Sequence, residues 1–130
     1  MGEILEQVTV LQPAERVRLD ADRIEALYRQ LGPRGAEDVV CRALEEIAAR
    51  LARAEADYRA ARFAAMRKCC RGLVGMAEEV GMPLMARVAR DVTACIDTGD
   101  GTGLGATFAR LLRIAERSLC EIWDMQDDAF

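Results

Sequence analysis

Apolar residues recur in this chain at alternating steps of three and four, and that spacing restricts the fold to helices packed side by side. The clearest stripe is Val40, Leu44, Ile47, Leu51, Ala54 and Tyr58. Steps of that size bring each side chain back to nearly the same angle on a helix, so the stripe is one face that needs a neighbour to bury it. Phe63, Met66, Cys70, Leu73, Ala77 and Val80 repeat the rhythm, as do Leu104, Phe108, Leu111, Ala115, Leu119 and Ile122. Between them, Leu84 or Met85 leads into Val88, Val92, Cys95 and Ile96, and a shorter stripe of Val17, Ile24, Leu27, Tyr28 and Leu31 comes first.

Glycine and proline stand between the stripes. The pattern predicts helices over 13–31, 36–58, 62–80, 83–98 and 104–125. Pro13 and Pro83 suit first-turn positions, where a missing N–H costs nothing. Gly32-Pro33 and Gly81 act as stops, and residues 99–105 read as a flexible glycine-rich turn. Val8-Thr9-Val10-Leu11, within residues 1–12, fits either a short extended piece or an arm. Short connections between striped helices favour antiparallel neighbours. The expected fold is all-α, an antiparallel up-down four-helix bundle over residues 36–130 with an additional N-terminal arm and helix over 1–35, compact as one domain.

Composition excludes several classes of function. A net charge of −4, with aromatics at only 5%, lacks the basic, aromatic-interleaved stripe of a nucleic-acid binder. No apolar run approaches the roughly 18 residues that span a bilayer. The acidic start Met1-Gly2-Glu3-Ile4-Leu5-Glu6 has no secretory pattern, and Glu6 breaks a myristoylation motif at Gly2. The five cysteines, 41, 69, 70, 95 and 120, are odd in number, lack Cys-x-x-Cys spacing and have no histidine to join them in a common zinc site. They read as small core residues in a reducing, cytoplasmic setting.

No metal, cofactor or catalytic residue is expected. Gly99-Asp100-Gly101-Thr102-Gly103-Leu104-Gly105-Ala106 contains G-x-G-x-x-A, but an amphipathic helix precedes it where a dinucleotide site needs a strand. It is not a calcium loop either, because Phe108 stands where the bidentate glutamate belongs. With no histidine in the chain, the usual base near neutral pH is missing. Carboxylates such as Glu45, Glu46, Glu78 and Glu79 occupy ordinary solvated helix positions.

Residues 61–81 carry the most specific signal. In Arg71-Gly72-Leu73-Val74-Gly75-Met76-Ala77-Glu78-Glu79-Val80-Gly81, the residues Leu73, Gly75, Ala77 and Gly81 fall on the pattern His-x-Leu-Lys-Gly-x-Ala-x-x-Leu-Gly, with Val80 in place of leucine. The small pair Cys69-Cys70 precedes them, and Leu84, the apolar periodicity to Ile96 and Gly99-Asp100 follow at the matching places. Over about residues 40–125 the chain resembles a histidine phosphotransfer (HPt) domain. The resemblance implies a four-helix bundle that docks receiver domains or histidine kinases of two-component signalling. Two departures stand out: Arg71 occupies the position of the phospho-accepting histidine, and Val74 that of the lysine. Arginine stays protonated and has no nucleophilic nitrogen to offer, so phosphotransfer at this position is excluded.

With the apolar stripe turned inward, about 100° per residue places Lys68, Arg71 and Gly75 outward, with Gly72 and Glu79 nearby. Two glycines in a helix interior cost about 2 kcal/mol relative to alanine. A bare patch of that kind lets another backbone come close, and Arg67, Lys68 and Arg71 around it suit a partner's carboxylates. The expected protein-interaction surface is therefore Arg67, Lys68, Arg71, Gly72 and Gly75. The alternatives are that the glycines admit the N-terminal helix of this same chain, or that the chain is a structural bundle, with a homodimer as one form. A small-molecule site in the core would rest only on the methionine and cysteine content.

Overall fold

The computed structural model describes residues 19–128, and residues 1–18, including Pro13, Val17 and the 1–12 segment, lie outside them. The described chain is all-helical, with four helices: α1 (Ala21–Arg59), α2 (Phe63–Glu79), α3 (Pro83–Thr98) and α4 (Gly101–Asp128). Helices consecutive in the chain pack against one another. The far end of α1 meets the first turns of α4 through Tyr58 and Phe108, whose ring centroids are 5.4 Å apart.

The predicted helices over 13–31 and 36–58 are corrected in two ways. The first does not run through residues 19 and 20: α1 begins at Ala21, and Asp20 caps it by accepting a hydrogen bond from the Arg23 N–H at 3.1 Å. The N–H of Asp20 donates outward to the Gly81 carbonyl at 2.8 Å, which fixes the chain at the end of α2. There is also no open turn over 32–35. The helix kinks at Gly32 (φ 74, ψ 171) and resumes at once at Pro33. A proline needs no N–H in a first turn, so a single glycine in the left-handed half of backbone space suffices to redirect the helix.

The predicted loop 99–105 shrinks to Gly99-Asp100. Gly103 donates its N–H to the Asp100 carboxylate at 2.9 Å, so Asp100 caps α4 and the helix starts at Gly101 despite its glycines. The three links between helices share one construction, in which two nested backbone hydrogen bonds close the helix around a residue of positive φ. After α2, Met82 N–H donates to the Ala77 carbonyl at 2.7 Å and Gly81 N–H to that of Glu78 at 3.3 Å. After α3, Asp100 and Gly99 bond back to Cys95 and Ile96 at 3.0 and 3.3 Å. After α1, Arg62 and Ala61 bond back to Asp57 and Tyr58 at 2.8 and 3.1 Å, and the left-handed residue is Ala61 at φ 55.

One buried cluster draws on all four helices. Val40, Leu44, Ile47, Leu51 and Ala54 come from α1, Met66, Cys70, Leu73 and Ala77 from α2, Met85, Val88 and Val92 from α3, and Leu104, Phe108, Leu111 and Ile122 from α4. Val80 and Met82, fully buried in the link after α2, close that end together with Leu27. Met85 rather than Leu84 is the inward residue of its pair. Truncating a fully buried side chain such as Leu73 to alanine costs about 2–5 kcal/mol. The stripes fail at their ends: Leu31 and Phe63 are 48% and 41% exposed, beside a kink and a helix start where packing neighbours run out. The cysteines are not uniformly core residues, since Cys70 is buried, Cys41, Cys69 and Cys95 are half-buried and Cys120 is exposed. Among the described residues no helix is long and apolar enough to cross a membrane.

Candidate docking surface

Helix α2 carries every residue of the expected surface, and its packing decides which of them are available. Met66, Cys70, Leu73 and Ala77 turn into the core. That orientation leaves Lys68, Arg71 and Gly75 exposed, with Arg67 and Gly72 half-buried at the flanks. Lys68 and Arg71 form no hydrogen bond or ion pair with another described residue. An alanine side chain at Gly75 would meet nothing within 4 Å. Arg71 is not tied to Glu78, because Glu78 is paired with Arg90 of α3.

Two members of the surface behave differently from the sequence expectation. Arg67 is not a free cation: its guanidinium lies across α3 on Asp97, with Nε and Nη2 donating at 2.6 and 3.3 Å. The pair neutralises Arg67 and points it away from the Gly75 face. Gly72 is not bare either. The guanidinium of Arg50, from α1, lies on it, and a side chain added at Gly72 would sit 2.9 Å from Arg50 Cζ and closer still to Nη1.

The glycines do not serve to seat the N-terminal limb of α1. That limb packs at the end of α2, where Arg23 Nε donates to the Glu79 carbonyl at 3.0 Å. A side chain at Gly81 (φ 77) would collide there with the Asp20 carbonyl at 2.9 Å and Ile24 at 3.2 Å.

Arg50 is the member that sequence reasoning missed. Its i,i+4 partner Glu46 is legible from spacing, but the contact with Gly72 joins residues of two different helices and has no local signature. The Nε atom of Arg50 is buried without a hydrogen-bond partner; the Glu46 carboxylate, at 3.6 Å, is too distant to bond it. Beside Arg50, Val39, Ala43 and Met76 floor a shallow groove of about 240 Å³ between α1 and α2, edged by Arg42, Glu46 and Glu79.

Nucleophilic chemistry finds little support around this face. Burial, with a smaller contribution from neighbouring Cys69, pushes the Cys70 thiol up to about 12, so it stays protonated near neutral pH. Among the described residues no group of three or more His, Cys, Asp or Glu is placed to hold a metal ion. What the face offers is charge and bare backbone: two cations unpaired among the described residues, a third laid over a glycine, and an open helical turn at Gly75. Comparison with known protein families, with characterised proteins and with solved structures found no match to this chain.

Proposed function

We propose that this chain is a non-catalytic, HPt-like interaction module of the cytoplasm that docks a receiver domain or histidine kinase in two-component signalling. The observation that carries the reading is the outward face of α2, where Lys68 and Arg71 are exposed, with no ionic partner among the described residues, beside the open backbone of Gly75. A receiver domain presents an acidic pocket, and such a pocket complements unpaired cations around a turn without side chains. Arg71 then acts as a fixed cation where a phosphotransfer domain has its histidine.

The corresponding architecture is an antiparallel up-down bundle with the N-terminal limb of α1 as an added element. Three cross-helix contacts support it: Arg67 near the start of α2 with Asp97 near the end of α3, Glu78 near the end of α2 with Arg90 in mid-α3, and Cys95 late in α3 with Thr107 early in α4.

The test is binding of the full chain to a panel of receiver and kinase domains, comparing wild type with Arg71→Glu. Reversal of an unpaired charge at the centre of a docking face is expected to weaken binding by about tenfold or more, and most strongly at low salt. No binding above background, or equal binding of the variant, refutes the reading. The exposed Leu31 and Phe63 favour a second one, a structural or oligomeric bundle without two-component partners. Light scattering decides for it if the chain forms a tight dimer that buries residues 67–75.

A further inference from the structure

We infer that Gly72 is a seat for Arg50, and that Arg50, Lys68 and Arg71 together form a binding site for a doubly charged oxyanion of the phosphoryl type. Lys68 lies one turn from both Arg71 and Gly72, and Arg71 lies one turn from Gly75, so these positions form a single diamond on the helix surface with neighbours about 5–6 Å apart. The guanidinium of Arg50 lies on the Gly72 corner of that diamond. Three cations are thereby gathered on one small area of a protein whose net charge is −4.

Their counter-charge within the chain is thin. Glu46 approaches Arg50 only to 3.6 Å, and neither Lys68 nor Arg71 has an ionic partner among the described residues. Of the nearby carboxylates, Glu78 and Asp97 are already engaged by Arg90 and Arg67, which leaves Glu46 and Glu79, at the edge towards α1, as the acidic groups beside three cations. Clustered like charges repel, and an anion placed among them removes that repulsion while gaining charge-assisted hydrogen bonds.

Arg50 also holds an unused donor. Its Nε is buried and unbonded, and a guanidinium in that state gains most from an acceptor that can take two of its N–H groups at once. A phosphoryl group has the oxygens for such a fork and a second charge for Lys68 and Arg71, whereas a lone carboxylate meets only part of the set. Gly72 is what makes the arrangement possible, because any side chain there would occupy the space of the guanidinium.

The inference rests on the docking reading only for where the phosphoryl group comes from, since its test needs no partner. Inorganic phosphate is titrated at constant ionic strength into the isotope-labelled full chain, with the Arg50 Nε–H and the Gly72 and Gly75 amides followed by NMR. Saturable shifts confined to these groups and their neighbours are expected, with acetate at equal concentration giving a much smaller response. Arg50→Gln is expected to weaken phosphate binding about tenfold, as loss of a charge-assisted contact should, while the remaining amide resonances keep their positions. Gly72→Ala, which displaces the guanidinium, should weaken it similarly.

Linear, unsaturated shifts, or unchanged affinity in Arg50→Gln, overturn the site. An acetate response equal to that of phosphate overturns its assignment to a doubly charged ligand. A silent phosphate titration alongside Arg71-dependent receiver binding removes this inference alone, and the converse pair of results removes the docking reading alone.

Discussion

Ala61 holds a position built for glycine, and replacing it should stabilise the protein. It sits at φ 55 in the link between α1 and α2, closing the same pair of nested hydrogen bonds that Gly81 and Gly99 close elsewhere. The left-handed conformation costs a residue with a Cβ about 1–2 kcal/mol. Ala61→Gly removes that cost but admits more freedom to the unfolded chain, worth about 0.4–1 kcal/mol in the other direction. The net expectation is a gain of about 0.5–1 kcal/mol, or roughly 2–6 °C in Tm for a domain of this size. Urea and thermal unfolding followed by far-UV circular dichroism would read both quantities. Ala60→Gly is the control: Ala60 has φ −88, so glycine there relieves no left-handed strain and should destabilise. The reverse substitutions extend the argument. Gly99→Ala adds only the backbone cost, since its side chain would meet nothing within 4 Å, whereas Gly81→Ala also drives a methyl to 2.9 Å from the Asp20 carbonyl and must cost more. If Ala61→Gly lowers stability as much as Ala60→Gly does, the reasoning from backbone strain is refuted.

Other outcomes follow from single features. Ser118 is fully buried and its hydroxyl has no partner among the described residues, so Ser118→Ala should be neutral or stabilise by up to about 1 kcal/mol in unfolding free energy from denaturant titration; a clear loss refutes this. Gly75→Ala should stabilise by about 1 kcal/mol in the same assay, because the added methyl enters open space and glycine is a poor helix former; if receiver binding is not weakened in that variant, close backbone approach at Gly75 is disproved. Cys70 supplies a pH dependence. Its thiol is raised from an ordinary 9.0 to about 12, so below pH 9 it is protonated in both states and contributes no slope. Between pH 9 and 12 only the unfolded state releases the proton, and stability should fall by up to about 1.4 kcal/mol per pH unit from this group. Cys70→Ala should flatten that alkaline slope, and thiol labelling of the native protein should be fast at exposed Cys120 and slowest at Cys70.

The sequence was most legible where one helix sufficed to make the argument. The stripes from Val40 to Ala54 and from Met66 to Val80 carry their own period, and those residues are buried. The outward placement of Lys68, Arg71 and Gly75 came from the same 100° geometry, because on a helix the inward face determines the outward one. Boundaries were less legible, and the reason is the same at each of them. Whether residues 19 and 20 are helical depends on the Gly81 carbonyl that receives Asp20, and whether residues 101–104 are helical depends on Asp100 capping a turn whose glycines argue for a loop. A cap at Asp100 could have been read locally, from an aspartate directly after a helix-ending glycine. The anchor at Gly81 could not, as it joins residues far apart in the chain.

By itself the sequence determined that this chain is helical, that it contains no histidine to carry phosphate, and which side of α2 turns outward. Each of these follows from residue identity or from the period of a single helix. Only tertiary structure decided how the charges on that side are spent. Asp97, from the next helix, takes Arg67 away, and Arg50, from the previous one, fills the notch at Gly72, while Lys68 and Arg71 have no partner among the described residues. Cross-helix pairing depends on how neighbouring helices are set against each other, which is fixed by the packing of the whole core rather than by any local run of residues.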